Sequence, residues 1–320
     1  MWLEGAATVN DKSDRPALSA QEVMVEAGLN WEVEKRPAYF RDSEGNFNCV
    51  PNHFVVTRSD DLSPLGIVGK GYELFQNREL FDFIETFLSI TKSKLDTCGF
   101  IDNGAMIWAT AVAETQEFLP GDPSQEYFLI SNNHDGNRGV QVGFMYSRLV
   151  CSNALLSSLK KSDHYSVRHV PSLRYYTNAI LDLMSAHRAH SKEFAEIMKT
   201  LIQKPLPLET IKDLTEKLTR SRKSSRLELL DFSDDEVSDT WTPGEPYAKI
   251  LDLVDHGLGT EIPGVKGTAY GFVQAVIEYV DHHRIVRKGN RSEAEAKFKA
   301  ALFGQGAFMK KKAIELALAA

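Results

Sequence analysis

The chain has 320 residues, 42% hydrophobic and 25% charged, with a formal net charge of -7; this is ordinary globular composition, with length enough for two domains. No run of about eighteen apolar residues exists, which excludes a membrane-spanning helix of that length, and the first residues give no expectation of a secretory signal. Three widely spaced cysteines, Cys49, Cys98 and Cys151, speak against a disulfide framework and fit a reducing cytoplasm.

Residues 1 to 16 read as a loosely held arm, with Trp2 and Leu3 as its apolar anchors. Ser19 and Glu22 have the spacing of a capping box for a short helix that Gly28 ends. Trp31, Val33 and Lys35 alternate as in a strand, Glu44-Gly45-Asn46 supplies a turn, and a second strand centres on Phe54, Val55 and Val56. Residues 65–69 and 72–75 add a third extended piece broken by glycines. The next helix runs from 77 to about 90, with Leu80, Phe81, Ile84, Phe87 and Leu88 at spacings of three and four and Asn77 as its cap.

A meander follows. The runs 97–101, 105–113 and 127–131 are apolar and β-prone, and are divided by Asp102-Asn103-Gly104 and Pro120-Gly121-Asp122-Pro123. After a turn at 132–137, Val140, Val142, Phe144 and Tyr146 alternate with smaller or polar residues as a half-buried strand. Ser152 or Asn153 then caps a closing helix carrying Leu155, Leu156 and Leu159. Beyond Ser172, apolar residues from Tyr176 to Leu201 hold a helical period over about thirty residues, until Pro205 and Pro207 end it. Further helices are expected over 208–218, 247–254, 268–283 and from Ser292 onward, the last broken at Gly304-Gln305-Gly306. The fold class is therefore α+β. An antiparallel β-meander with packed helices occupies 1–171, and a mostly α-helical part with a charged connector near 220–245 occupies 172–320.

Charge is unevenly placed. Between 138 and 174 the acidic chain carries Arg138, Arg148, Lys160, Lys161, Arg168 and Arg174 against Asp163 alone, with His164 and His169 in addition. Such a segment suits a polyanion, and its plainer reading is a solvated basic face. For nucleic acid, these cations would neutralise phosphates, with His169 beside them and Tyr165 as a stacking face for unpaired bases. Tyr146 and Tyr176 fall on apolar faces and read as core. Arg148 precedes Leu-Val-Cys and has a second reading as a partly buried ion-pair partner. A nucleophilic alternative places Cys151 near His134 or His169, with Asp135 or Asn153 as orienter; a cysteine ending an apolar strand also reads as core. No metal or cofactor site is expected: His187 and His190 are three apart on a helix and read as core or rim, and no Walker frame is present.

Several short motifs stand in one order. They are Asn30-Trp31-Glu32-Val33-Glu34-Lys35-Arg36-Pro37, Val68-Gly69-Lys70-Gly71-Tyr72 with Gln76-Asn77, Asn133-His134-Asp135-Gly136, Arg148 to Asn153, Arg168-His169, Thr268-Ala269-Tyr270-Gly271, and Glu278 to His282. In that order the chain resembles the phage/plasmid-like proteins of domain-of-unknown-function family 932, over nearly its full length, with Ala154 where members commonly carry Thr. The resemblance implies a bacterial host cell and a mobile element, and no established activity. Helix, meander and closing helix also resemble, in element order, the core of phage single-strand annealing proteins. The leading expectation is a non-enzymatic, oligomeric protein that binds single-stranded DNA. The second is a factor that binds and modulates a host protein, and the third is a Cys/His enzyme.

Overall fold

The computed structural model describes residues 7–8, 19–136, 139–150, 153–156, 165–167, 173–220, 244–287, 289 and 291–320. Strand β1 (Ala7–Thr8) and helix α1 (Ala20–Glu26) lead into β2 (Val33–Arg41), β3 (Phe47–Arg58) and β4 (Pro64–Gly69). Helix α2 (Asn77–Thr91) precedes β5 (Lys94–Ile101), β6 (Met106–Leu119), β7 (Asp122–Asn133) and β8 (Val140–Arg148). Two short strands follow, β9 (Asn153–Leu156) and β10 (Tyr165–Val167). The remaining elements are helices α3 (Leu173–Gln203), α4 (Leu208–Thr219), α5 (Glu245–His256), α6 (Ala269–Glu278), α7 (Glu293–Phe303) and α8 (Gln305–Ala319), with a π turn at Tyr279–His283 after α6. The large antiparallel sheet has the order β1-β5-β6-β7-β8, and β9 and β10 share the far edge of β8. A second sheet is β2-β3-β4. The protein is α+β, and the boundary expected at 171/172 falls outside the described residues.

Local chemistry explains most of these elements. Ser19 and Glu22 form the anticipated capping box of α1, and Ser292 with Glu295 repeats it at α7. At the β5–β6 turn, Asp102, Asn103 and Gly104 all take positive φ, which short polar side chains and glycine tolerate best. Two expectations fail. Residues 153–156 form strand β9 rather than a helix, pairing Asn153 with Arg148 and Leu156 with Met145. Four residues are too few to separate the two periods, and the open edge of β8 satisfies their backbone groups. The element order shared with annealing proteins thereby loses its closing helix there. Asn77 is not the cap of α2; Gln76 is, and the buried Asn77 amide instead donates to the carbonyls of Leu29 and Trp31.

Period-two alternation sorts the strand residues between two faces of the large sheet. Ile107, Ala109, Phe128, Ile130, Val142 and Phe144 face α1, α2 and the first half of α3, while Trp108, Leu129 and Met145 face α7. Trp108 stacks on Phe298 with ring centroids 4.5 Å apart. Further along the first face, Leu119 and Tyr146 enter the core of the helical half, with Phe194, Tyr270 and Val273.

The small sheet ends in a two-stranded arm. β4 pairs with β3 only between His53 and Thr57, so beyond that point β2 and β3 have only each other. Tyr39, Phe40 and Phe47 on this arm are 59%, 54% and 75% exposed. Its turn is fixed by Asp42, whose carboxylate accepts from the backbone N–H groups of Asn46 (2.8 Å) and Glu44 (3.1 Å). Pro37 lies in β2 and Pro51 in β3.

Helix α7 is tied to the sheet by Asp102, which accepts from Arg291 and Lys299. Burial pushes the Asp102 carboxyl up, but these hydrogen bonds and the two positive charges outweigh it, so it lies below its ordinary 3.8. A depressed carboxyl stabilises the fold above the unfolded-state value and ceases to do so as pH falls through the folded one. Acid unfolding followed by tryptophan fluorescence is therefore expected to show a shallower loss of stability below about pH 4 for Asp102→Asn than for the parent. Parallel curves would remove this anchor from the account.

Candidate anion-binding cleft

Helix α3 spans 31 residues because buried positions recur along one stripe: Ile180, Leu183, His187, Phe194, Met198 and Leu201. The stripe lies on β7 and β8. Where α3 crosses β6, the ladder is interrupted: Val112 pairs with Tyr127 and Thr115 with Gln125, so Ala113 and Glu114 together oppose Glu126. Such a bulge bends the strand and opens space beside it. A cleft of about 720 Å³ occupies that space, bounded by the bulge, the end of α2 and α3.

Below the cleft is a chain of hydrogen bonds. Glu126 is fully buried, and its Oε1 accepts from the Tyr146 hydroxyl (2.5 Å) and pairs with His187 Nε2 (2.8 Å). Its Oε2 has no hydrogen-bond partner among the described residues. The His187 ring lies against Phe128 and Phe144, with centroids 4.8 and 4.9 Å away, and forms part of the cleft floor. Burial, followed by the adjacent Glu126 charge, pushes the Tyr146 phenol up, so it remains a donor. Ser191 hydrogen-bonds to Tyr146 in turn, and Gln116 Nε2 donates to Ser191 Oγ at 2.8 Å.

The rim is cationic. Lys92, the left-handed residue that ends α2, and Arg188 and Lys192 on α3 are exposed, and among the described residues none has a carboxylate partner. Glu114 is the acidic residue on that rim. Three positive charges held together against one negative charge favour an anion there. Among the described residues, no group of three or more His, Cys, Asp or Glu could hold a metal ion, and no helix is long and apolar enough to cross a membrane.

The residues expected to bind nucleic acid divide sharply. Arg138, Lys160, Lys161, Arg168 and His169 lie outside the described residues, as does Cys151. Tyr165 is on β10 and Arg174 in the first turn of α3. Arg148 must be withdrawn as a phosphate contact. Its side chain is 2% exposed and Asp122 is 0% exposed, with Arg148 Nε 2.5 and 2.7 Å from the two Asp122 oxygens. Its Nη1 and Nη2 donate to the carbonyls of Leu258 and Gly259 at 3.0 and 3.2 Å, and the Tyr270 hydroxyl donates to Asp122 at 2.8 Å. Gly259 has φ +75°, and a Cβ there would meet the guanidinium at 2.6 Å. The ion-pair reading of Arg148 is the one the fold adopts.

His134 is also structural: it is buried, pairs through Nε2 with Asn77 Oδ1 (2.9 Å), and meets the Trp31 ring edge-on. Sequence reading missed Glu126, Lys92, Arg188 and Lys192. A carboxylate directly before the apolar run 127–130, together with the i, i+4 pairs His187/Ser191 and Arg188/Lys192, was the available signal.

Among known families, the profile described as Domain of unknown function (DUF932) matches residues 64–302. No curated protein and no solved structure matches the chain.

Removing one member of a buried pair leaves an uncompensated charge, at a cost of about 3–5 kcal/mol. Asp122→Ala is expected to lose that much in urea unfolding, and Tyr270→Phe about 1.5–3 kcal/mol. A parent-like midpoint for Asp122→Ala would deny the pair its structural role.

Proposed function

Since the chain belongs to the DUF932 family, whose description carries no activity, we propose from its residues that it is a non-enzymatic protein that binds single-stranded nucleic acid. The observation that carries this reading is the cleft beside α3, with three cations that have no carboxylate partner among the described residues, on a chain of net charge -7. Arg174 begins the same helix and precedes Arg188 by about 21 Å at ~1.5 Å per residue. Cations at two levels of one helix suit a phosphate backbone, whose neutralisation releases counterions. The cleft floor adds the partly exposed Met184 and Ala113, with Phe128 buried among its neighbouring rings. Apolar faces of this kind serve unpaired bases, whereas a duplex hides its base faces in the stack.

A second reading, a protein partner, is favoured by the β2–β3 arm. Tyr39 and Phe47 share one face of a two-stranded projection and Phe40 lies on the other, exposed aromatics that a monomer has little reason to keep. Capture of a defined partner after nuclease treatment, lost on Tyr39→Ser with Phe47→Ser, would support it; capture unchanged by those substitutions would remove the arm from it.

The nucleic-acid reading is tested by fluorescence anisotropy with a labelled single-stranded oligonucleotide over a range of salt concentrations. Affinity is expected to fall linearly in log–log form. Lys92→Glu, Arg188→Glu and Lys192→Glu together are expected to weaken binding at least tenfold and to flatten the slope by about 2, at ~0.7 per phosphate contact. Absence of binding, or binding indifferent to salt, overturns the proposal.

A further inference from the structure

We infer that the cleft seats one nucleotide unit, with its phosphate on the cationic rim and its base against the apolar floor; this rests on the nucleic-acid reading and names what that site holds. Size is the first argument. A volume of about 720 Å³ lies within the ~300–1,000 Å³ range of small-ligand pockets, so the site resembles a compartment more than a long track.

The lining of the cleft is divided between carbon and charge. Ala113 and the buried Phe128 on the sheet side and Met184 on α3 line the cleft with carbon, while Lys92, Arg188 and Lys192 stand at the mouth. A bare phosphate would use only the second set and an apolar ligand only the first; a nucleotide has both parts. Gln116 supplies a third feature. One of its N–H groups is given to Ser191, which leaves its carbonyl and second N–H without a partner among the described residues. That pairing of donor and acceptor is what the edge of a base offers in return. The chain from Glu126 through Tyr146 and Ser191 holds the Gln116 amide in place, so Tyr146 and Ser191 are positioning residues here.

The test uses the full chain and isothermal titration with deoxyadenosine monophosphate, beside deoxyadenosine and inorganic phosphate. Expected are binding of the nucleotide at least tenfold tighter than of either half, and displacement of a labelled single-stranded oligonucleotide by the nucleotide. Arg188→Glu and Lys192→Glu, at exposed positions where folding is not at risk, are expected to weaken the nucleotide at least tenfold. Gln116→Leu should weaken the nucleotide while leaving inorganic phosphate unchanged. If the oligonucleotide binds but the nucleotide neither binds nor competes, the compartment is overturned and the nucleic-acid reading stands. If phosphate alone binds as well as the nucleotide, the base subsite is overturned. If the nucleotide binds and the oligonucleotide does not, the compartment stands and the strand reading falls. If none binds, both fall.

Discussion

Asp122 and Arg148 form an ion pair almost wholly shielded from water, and much of the architecture can be traced from it. Two charges removed from solvent are tolerated only when geometry and further hydrogen bonds offset their lost hydration. Here both carboxylate oxygens contact the guanidinium, two carbonyls of the loop after α5 accept from Nη1 and Nη2, and Tyr270 covers it. The pair therefore requires the start of β7, the end of β8, that loop and α6 to be present together. It also sets the face of the strands. Asp122, Ser124 and Glu126 are two apart, so placing Asp122 under the helices places Glu126 there too, opposite Tyr146. The hydrogen-bonded floor of the cleft follows from that alignment.

Legibility from sequence tracked the range of the interactions involved. The strands β5 to β8, the capping box at Ser19 and the long helix α3 are written in neighbours a few residues apart, and they were readable. Residues 153–156 were not, because a strand edge located elsewhere decided between two equally short patterns. Arg148 was left between two readings for the same reason: counting charge along the chain treats it as one cation among six, while its partner is 26 residues upstream and its carbonyl contacts are more than 100 residues downstream. The cleft cations come from positions 92, 188 and 192, and no local window contains all three. Glu126 was visible only as a charge bordering the apolar run 127–130, a signal that acquires meaning once the bulge at Ala113 and Glu114 is known.

The helical half repeats the theme of the buried pair. The π turn at Tyr279–His283 follows a fully buried α6 and carries Asp281, which meets Lys310 of α8 with both side chains 1% exposed. Burial pushes the Lys310 ammonium down, and the Asp281 carboxylate opposes that shift. One extra residue in the turn changes which side chain points inward, a known use of π bulges. Buried charge is thus placed at the seams between elements, where a mispaired arrangement would strand a charge without a partner. The three exposed cations at the cleft have no such internal partner among the described residues.

The prolines of β2 and β3 have a consequence for the chain in concentrated solution. A projecting ribbon with aromatic side chains and an unpaired border is the usual seed for strand-to-strand stacking into fibrils. Pro51 withholds a backbone donor on the ribbon, and Pro37, opposite Phe54 at the last rungs of the three-stranded part, withholds one at the base of the other strand, so each strand interrupts the ladder that an incoming strand needs. The arm can thus keep its adhesive aromatics for side-chain encounters that come apart again, without templating an ordered aggregate.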